Sequence, residues 1–109
     1  MSTMPFFERL AARAEAIGSL LCPGLDPRLP AGTADVHAAL LGHVRRILEA
    51  TRGLALCYKP NAAFYEVHGA EGWRALRDVV ALLQQEAPVI VDAKRGDIGS
   101  TAEIGRAHV

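Results

Sequence analysis

The run 89–98, Val-Ile-Val-Asp-Ala-Lys-Arg-Gly-Asp-Ile, starts as an apolar strand and then places Asp92, Lys94 and Asp97 within six positions. Side chains alternate faces along a strand, so Asp92 and Lys94 share one face while Ala93 turns away. Gly96 breaks the strand and allows the chain to turn Asp97 back toward them. Converging charges at the end of an apolar strand are costly unless they serve a purpose. Opposite charges ~4 Å apart interact by roughly 4 kcal/mol at an effective dielectric near 20, enough to hold a lysine protonated between two carboxylates. Such an ammonium can stabilise developing negative charge and then donate a proton.

The elements that must position these groups alternate between helical and strand periodicity. Phe6, Phe7, Leu10, Ala14 and Ile17 mark one face of a first helix, with Pro5 near its start and Gly18 at its end. Residues 20–22 form a short apolar strand before the turn-rich segment 23–27. A second helix follows, with Thr33 or Asp35 as N-cap and Val36, Leu40, Val44, Ile47 and Leu48 on its buried side. Residues 54–59 read as a second strand stopped by Pro60. A third helix covers 71–85, with Trp73, Leu76, Val79, Val80 and Leu83 inward, and a third strand covers 89–93. Apolar strands alternating with amphipathic helices indicate βαβ units and a parallel sheet. The third strand would keep an open edge. The pattern suits a (β/α)8 barrel, which takes about 250 residues. The predicted fold class is therefore α/β, the N-terminal part, about three βα units, of such a barrel, with residues 1–102 as the partial barrel domain.

In α/β barrels the functional groups lie at the carboxyl ends of the strands. Here the first strand delivers Asp26, the second Lys59 and Asn61, and the third Asp92, Lys94 and Asp97. A single polar strand end is ordinary solvation; three in succession favour an active site over a salt-bridge lattice closing the barrel mouth.

The 109 residues are half hydrophobic and carry 12 basic against 12 acidic groups. This balance argues against nucleic acid or an anionic membrane as partner. No run is long enough to span a bilayer, and the N-terminus lacks the features of a signal peptide. Cys22 and Cys57 each sit in an apolar run and read as two buried, reduced thiols in a cytoplasmic protein; a disulfide between neighbouring strands is the lesser alternative. His37, His43, His68 and His108 show no metal-ligand spacing. Trp73 and the Phe6-Phe7 pair read as core packing, and Tyr65 as core in reach of the site. The glycines match neither a dinucleotide fingerprint nor a P-loop.

Residues 92–98, Asp-Ala-Lys-Arg-Gly-Asp-Ile, match the Asp-x-Lys-x-x-Asp signature of orotidine 5′-monophosphate decarboxylases. The segments 58–66, Tyr-Lys-Pro-Asn-Ala-Ala-Phe-Tyr-Glu, and 22–27, Cys-Pro-Gly-Leu-Asp-Pro, resemble the branch of that family found in many bacteria. The signature alone is shared with other phosphosugar enzymes of the same barrel group; the three segments in order are specific, and the resemblance runs from the first helix to about Ala102. It implies conversion of orotidine 5′-monophosphate to UMP and carbon dioxide, the last step of de novo pyrimidine nucleotide synthesis, with neither metal nor organic cofactor. By the same resemblance Lys94 is the proton donor and Asp92 lies near the departing carboxylate. Lys59 binds ribose hydroxyls and holds Asp92, and Asp26 also contacts the ribose. Asp97, with Ile98 and Thr101, completes the pocket of a neighbouring subunit, which implies a homodimer.

Two other chemistries remain open. Lys94 as a Schiff-base lysine would need a depressed pKa, against which the flanking carboxylates act. A metal-dependent phosphosugar decarboxylase or aldolase would use the strand-end carboxylates as magnesium ligands. The family's phosphate grip comes from later strands, so the 109 residues are expected to be inactive alone, and a non-catalytic truncated barrel is the alternative for this polypeptide. Residues 103–109, Glu-Ile-Gly-Arg-Ala-His-Val, also correspond to one reading frame of a common sequencing adapter and are expected to be a non-native tail.

Overall fold

The computed structural model describes residues 4–93. Helix α1 (Phe6–Ile17) begins after Pro5, whose carbonyl accepts from Arg9 N at 3.0 Å. It ends at Gly18, whose positive φ of 63° completes a left-handed cap. Helix α2 (Val36–Thr51) is capped by Asp35, whose side chain accepts from Ala38 N at 3.0 Å, settling the choice between Thr33 and Asp35. A four-residue helix, α3 (Ala63–Glu66), precedes α4 (Gly69–Gln84). Between the helices lie two short parallel strands, β1 (Gly24–Leu25) and β2 (Lys59–Pro60), in register Gly24 to Lys59 and Leu25 to Pro60. Residues 89–92 extend the sheet through parallel bridges Tyr58–Val89 and Asn61–Asp92.

The core forms where α2 and α4 cover one face of this sheet. Leu40, Val44 and Leu48 of α2 meet Ala75, Leu76, Val79 and Leu83 of α4, with Leu25 and Tyr58 beneath them. Three to four such residues per helix at helical spacing give the apolar stripe that a sheet-covering helix needs. Across the top of the pair, His37 Nε2 and Asp78 Oδ2 lie 2.7 Å apart, and this hydrogen bond holds the Asp78 carboxyl below the usual carboxylate range. At the amino ends of the strands, the Arg13 guanidinium donates to Ala55 O at 3.0 and 2.8 Å and lies 3.5 Å from Glu86.

Several expectations are corrected. The first strand lies at Gly24–Leu25 rather than at 20–22, although Leu21 O already accepts from Leu56 N at 2.7 Å. Pro23 and Gly24 look like turn residues, yet Pro23 O accepts from Lys59 N at 3.0 Å, so pairing to the neighbour overrides local preference. Pro60 is the last residue of β2 rather than the first beyond it. Its carbonyl serves the ladder by accepting from Asp92 N at 2.9 Å, and only its missing N–H is lost to the sheet. Trp73 points outward, 47 % exposed, and Gly72 takes the inward position. Helix α1 buries no residue fully, and Phe7 is 81 % exposed, so the Phe6-Phe7 pair is a surface edge-to-face contact, centroids 5.7 Å apart, and not core. Cys22 is exposed; only Cys57 is buried.

Candidate active site

Parallel pairing brings the carboxyl ends of the three extended segments to one side of the sheet. Asp26 directly follows β1, Lys59 lies in β2 with Asn61 just beyond it, and Asp92 closes the segment 89–92. Asp26 and Lys59 are exposed and Asp92 is partly buried, so a solvent-facing cluster of two carboxylates and one ammonium group sits over a buried apolar layer. The backbone fixes their origins. Asp92 N donates to Pro60 O at 2.9 Å and Asp92 O accepts from Ala62 N at 2.8 Å, so Asp92 is clamped to the residues that follow Lys59. Of the sequence-predicted site residues, the structure brings together Asp26, Lys59 and Asp92. Lys94, Asp97, Ile98 and Thr101 lie outside the described residues, as does 103–109.

The segment after β2 is the scaffold for this cluster, and residues 60–66 are buried throughout. Asn61 Oδ1 accepts from Ala63 N at 3.1 Å and so turns the chain into α3. One helical turn further, Tyr65 donates from its hydroxyl to Leu25 O at 3.3 Å, fixing the residue that precedes Asp26. Burial, and secondarily the Asp26 charge, push the Tyr65 phenol well above its usual range, so it stays a neutral donor. Tyr65 is therefore both core and support for the strand end.

Three features escaped the sequence reading. The short helix α3 has too few residues for periodicity to reveal it. Glu66 is a buried carboxylate, 4 % exposed, and the signal for it was an acid ending the apolar stretch Ala62, Ala63, Phe64, Tyr65. His43, on α2, has its Nε2 buried without a hydrogen-bond partner among the described residues. Burial first, and then the Arg46 charge, hold its imidazole below the usual histidine range, while Asp26 acts in the opposite sense.

A parallel sheet covered by helices, with charged groups gathered at its strand carboxyl ends, is the N-terminal part of a (β/α)8 barrel. The family described as "Orotidine 5′-phosphate decarboxylase / HUMPS family" matches residues 19–107, and the chain belongs to that family. It is 50 % identical over 102 residues to an orotidine 5′-phosphate decarboxylase of Halorubrum lacusprofundi, covering 90 % of this chain and 36 % of that protein. It is 46 % identical over 101 residues to an orotidine 5′-phosphate decarboxylase of Herpetosiphon aurantiacus, covering 90 % of this chain and 38 % of that one. Among solved structures, OMP decarboxylase of Leishmania donovani superposes with a TM-score of 0.72 at 48 % identity, over 92 % of this chain and 37 % of that one. The chain thus spans little more than a third of the length of these relatives.

Proposed function

We propose that the protein to which these residues belong is an orotidine 5′-monophosphate decarboxylase, releasing carbon dioxide to form UMP. The observation that carries this reading is the convergence of Asp26, Lys59 and Asp92 at one end of a parallel sheet, in a chain of the decarboxylase family. Within that family the segments 22–27 and 58–66 favour the branch found in many bacteria.

Departure of carbon dioxide without an electron-sink cofactor leaves a basic carbanion. Lys94, two residues beyond Asp92 and three before Asp97, is the group that meets this charge and donates the proton. Asp92 faces the departing carboxylate, and its backbone bonds to Pro60 and Ala62 fix the point from which its side chain projects. Stabilisation of the transition state by the lysine outweighs repulsion in the bound substrate, because only interactions that strengthen toward the transition state accelerate the step. Lys59 holds Asp92 and ribose hydroxyls, and Asp26 takes a second ribose contact. Asp97, Ile98 and Thr101 complete the pocket of a second subunit, so the working form is a cytoplasmic homodimer.

The test is loss of orotidine monophosphate absorbance with the completed coding sequence. Lys94→Ala should abolish decarboxylation while orotidine monophosphate still binds; turnover close to that of the unmodified enzyme would overturn the assignment. The 109 residues alone should show no turnover.

A further inference from the structure

Cys22 and Cys57 carry chemistry that decarboxylation does not use. They are 35 residues apart in sequence, yet continuing the register that pairs Gly24 with Lys59 sets Cys22 opposite Cys57, each two residues before its strand begins. Neighbouring strands run about 4.8 Å apart, within the Cα separation that a disulfide spans. The side chains also converge, with the two Sγ atoms 3.0 Å apart. Their environments differ: Cys22 is exposed, whereas Cys57 is 4 % exposed.

We propose that Cys22 and Cys57 form a reversible oxidation site, in which peroxide reacts at Cys22 and Cys57 resolves the product into a disulfide stapling β1 to β2 beneath the Asp26–Lys59 cluster. The two sulfurs lie within hydrogen-bond reach of each other, and Cys22 is the one that solvent and peroxide can reach. Burial, followed by the hydrogen bond to Cys22, pushes the Cys57 thiol up to about 12, so it remains protonated and is the poorer first nucleophile. In the first step the Cys22 thiolate attacks one peroxide oxygen. The O–O bond breaks, hydroxide leaves and takes up a proton, and a sulfenic acid remains on Cys22. In the second step Cys57 Sγ attacks the Cys22 sulfur, and the sulfenic hydroxyl departs with the Cys57 proton as water. Overall two thiols lose two electrons and two protons, and one hydrogen peroxide is reduced to two waters. Thiol exchange with a reductant such as dithiothreitol reverses the staple.

The test uses the 109-residue chain itself. After hydrogen peroxide treatment, denaturation and alkylation, intact mass should show a monomer lighter by two hydrogens, with no alkyl group added. Proteolysis should give one linked peptide pair containing Cys22 and Cys57, and dithiothreitol should restore two alkylatable thiols. Because the fold supplies the proximity, closure should be at least about tenfold faster in the native chain than in urea. In Cys57→Ser the reaction should stop at a Cys22 sulfenic acid that dimedone traps. Equal rates in buffer and urea, disulfides only between chains, sulfinic acid on Cys22 beside an alkylatable Cys57, or no oxidation at all would each overturn the proposal. The rate comparison on the unsubstituted chain decides it even if the serine variant fails to fold.

Discussion

At the scale of single residues, backbone pairing sets where the site's groups originate. Asp26, Lys59 and Asp92 each sit at a strand end, and Tyr65 and Asn61 hold those ends from below. The Asp26 charge also acts on a titrating group of α2, His43. Its folded pKa is depressed, so the unfolded chain binds the proton more readily. Acidification through the ordinary histidine range, near pH 6.5, therefore favours unfolding. Stability from this group is complete above that range and is lost as pH falls through it. His68 is shifted in the same direction by burial and adds to the slope. The urea midpoint should fall between pH ~7.5 and ~5.5, and His43→Gln should flatten that fall. An unchanged slope in the variant would show that the buried imidazole does not govern this transition.

At the scale of elements, α3 and α4 meet so closely that one position tolerates no side chain. A Cβ on Gly72 would collide with the backbone of Tyr65, lying 2.7 Å from its carbonyl carbon and 3.1 Å from His68 Cβ. Alanine in mid-helix normally gains up to about 1 kcal/mol over glycine. Overpacking against backbone costs about 1–3 kcal/mol, so the clash wins and Gly72→Ala should lower the thermal midpoint and loosen Tyr65 from Leu25. A rise in that midpoint would mean that the helices separate at little cost. The same contact explains part of what was legible in the sequence. Helices α2 and α4 were readable because long apolar stripes report burial, and Leu40, Val44, Leu76, Val79 and Leu83 all lie in the core as expected; α1 was readable from its periodicity and its Pro5 and Gly18 ends, although its stripe is not buried. Trp73 was misplaced because size suggests burial, while the tight α3–α4 approach reserves the inward position for Gly72. The strand at Gly24–Leu25 was misread because Pro23 and Gly24 have turn chemistry, and only the partner strand reveals their pairing. Strand-end residues Asp26, Lys59 and Asp92 were legible because they interrupt apolar runs; the support from Tyr65 to Leu25 was not, since it joins residues 40 apart.

At the scale of the whole molecule, the sheet formed by the described residues has open edges. Residues 89–92 bond to the β2 segment on one side, and no strand covers their other side among the described residues. Around that sheet Leu20, Leu21, Leu54, Ile90 and Val91 are exposed, with Leu20 at 81 %. Covering a leucine, isoleucine or valine fully is worth about 1.5–3 kcal/mol, so several half-exposed side chains along one sheet provide a strong drive to associate. An unpaired edge adds a row of backbone donors and acceptors that a second chain can satisfy. The chain should therefore self-associate at micromolar concentrations, visible as a concentration-dependent rise in sedimentation coefficient. Val91→Lys tests which surface is responsible. Val91 is 43 % exposed, so lysine fits without disturbing the core, and a charge at the edge opposes strand addition. The variant should stay monomeric to higher concentration with an unchanged circular dichroism spectrum. Association that persists undiminished in Val91→Lys would place the contact elsewhere, with Met4, Phe7 and Trp73 as further large exposed apolar groups among the described residues.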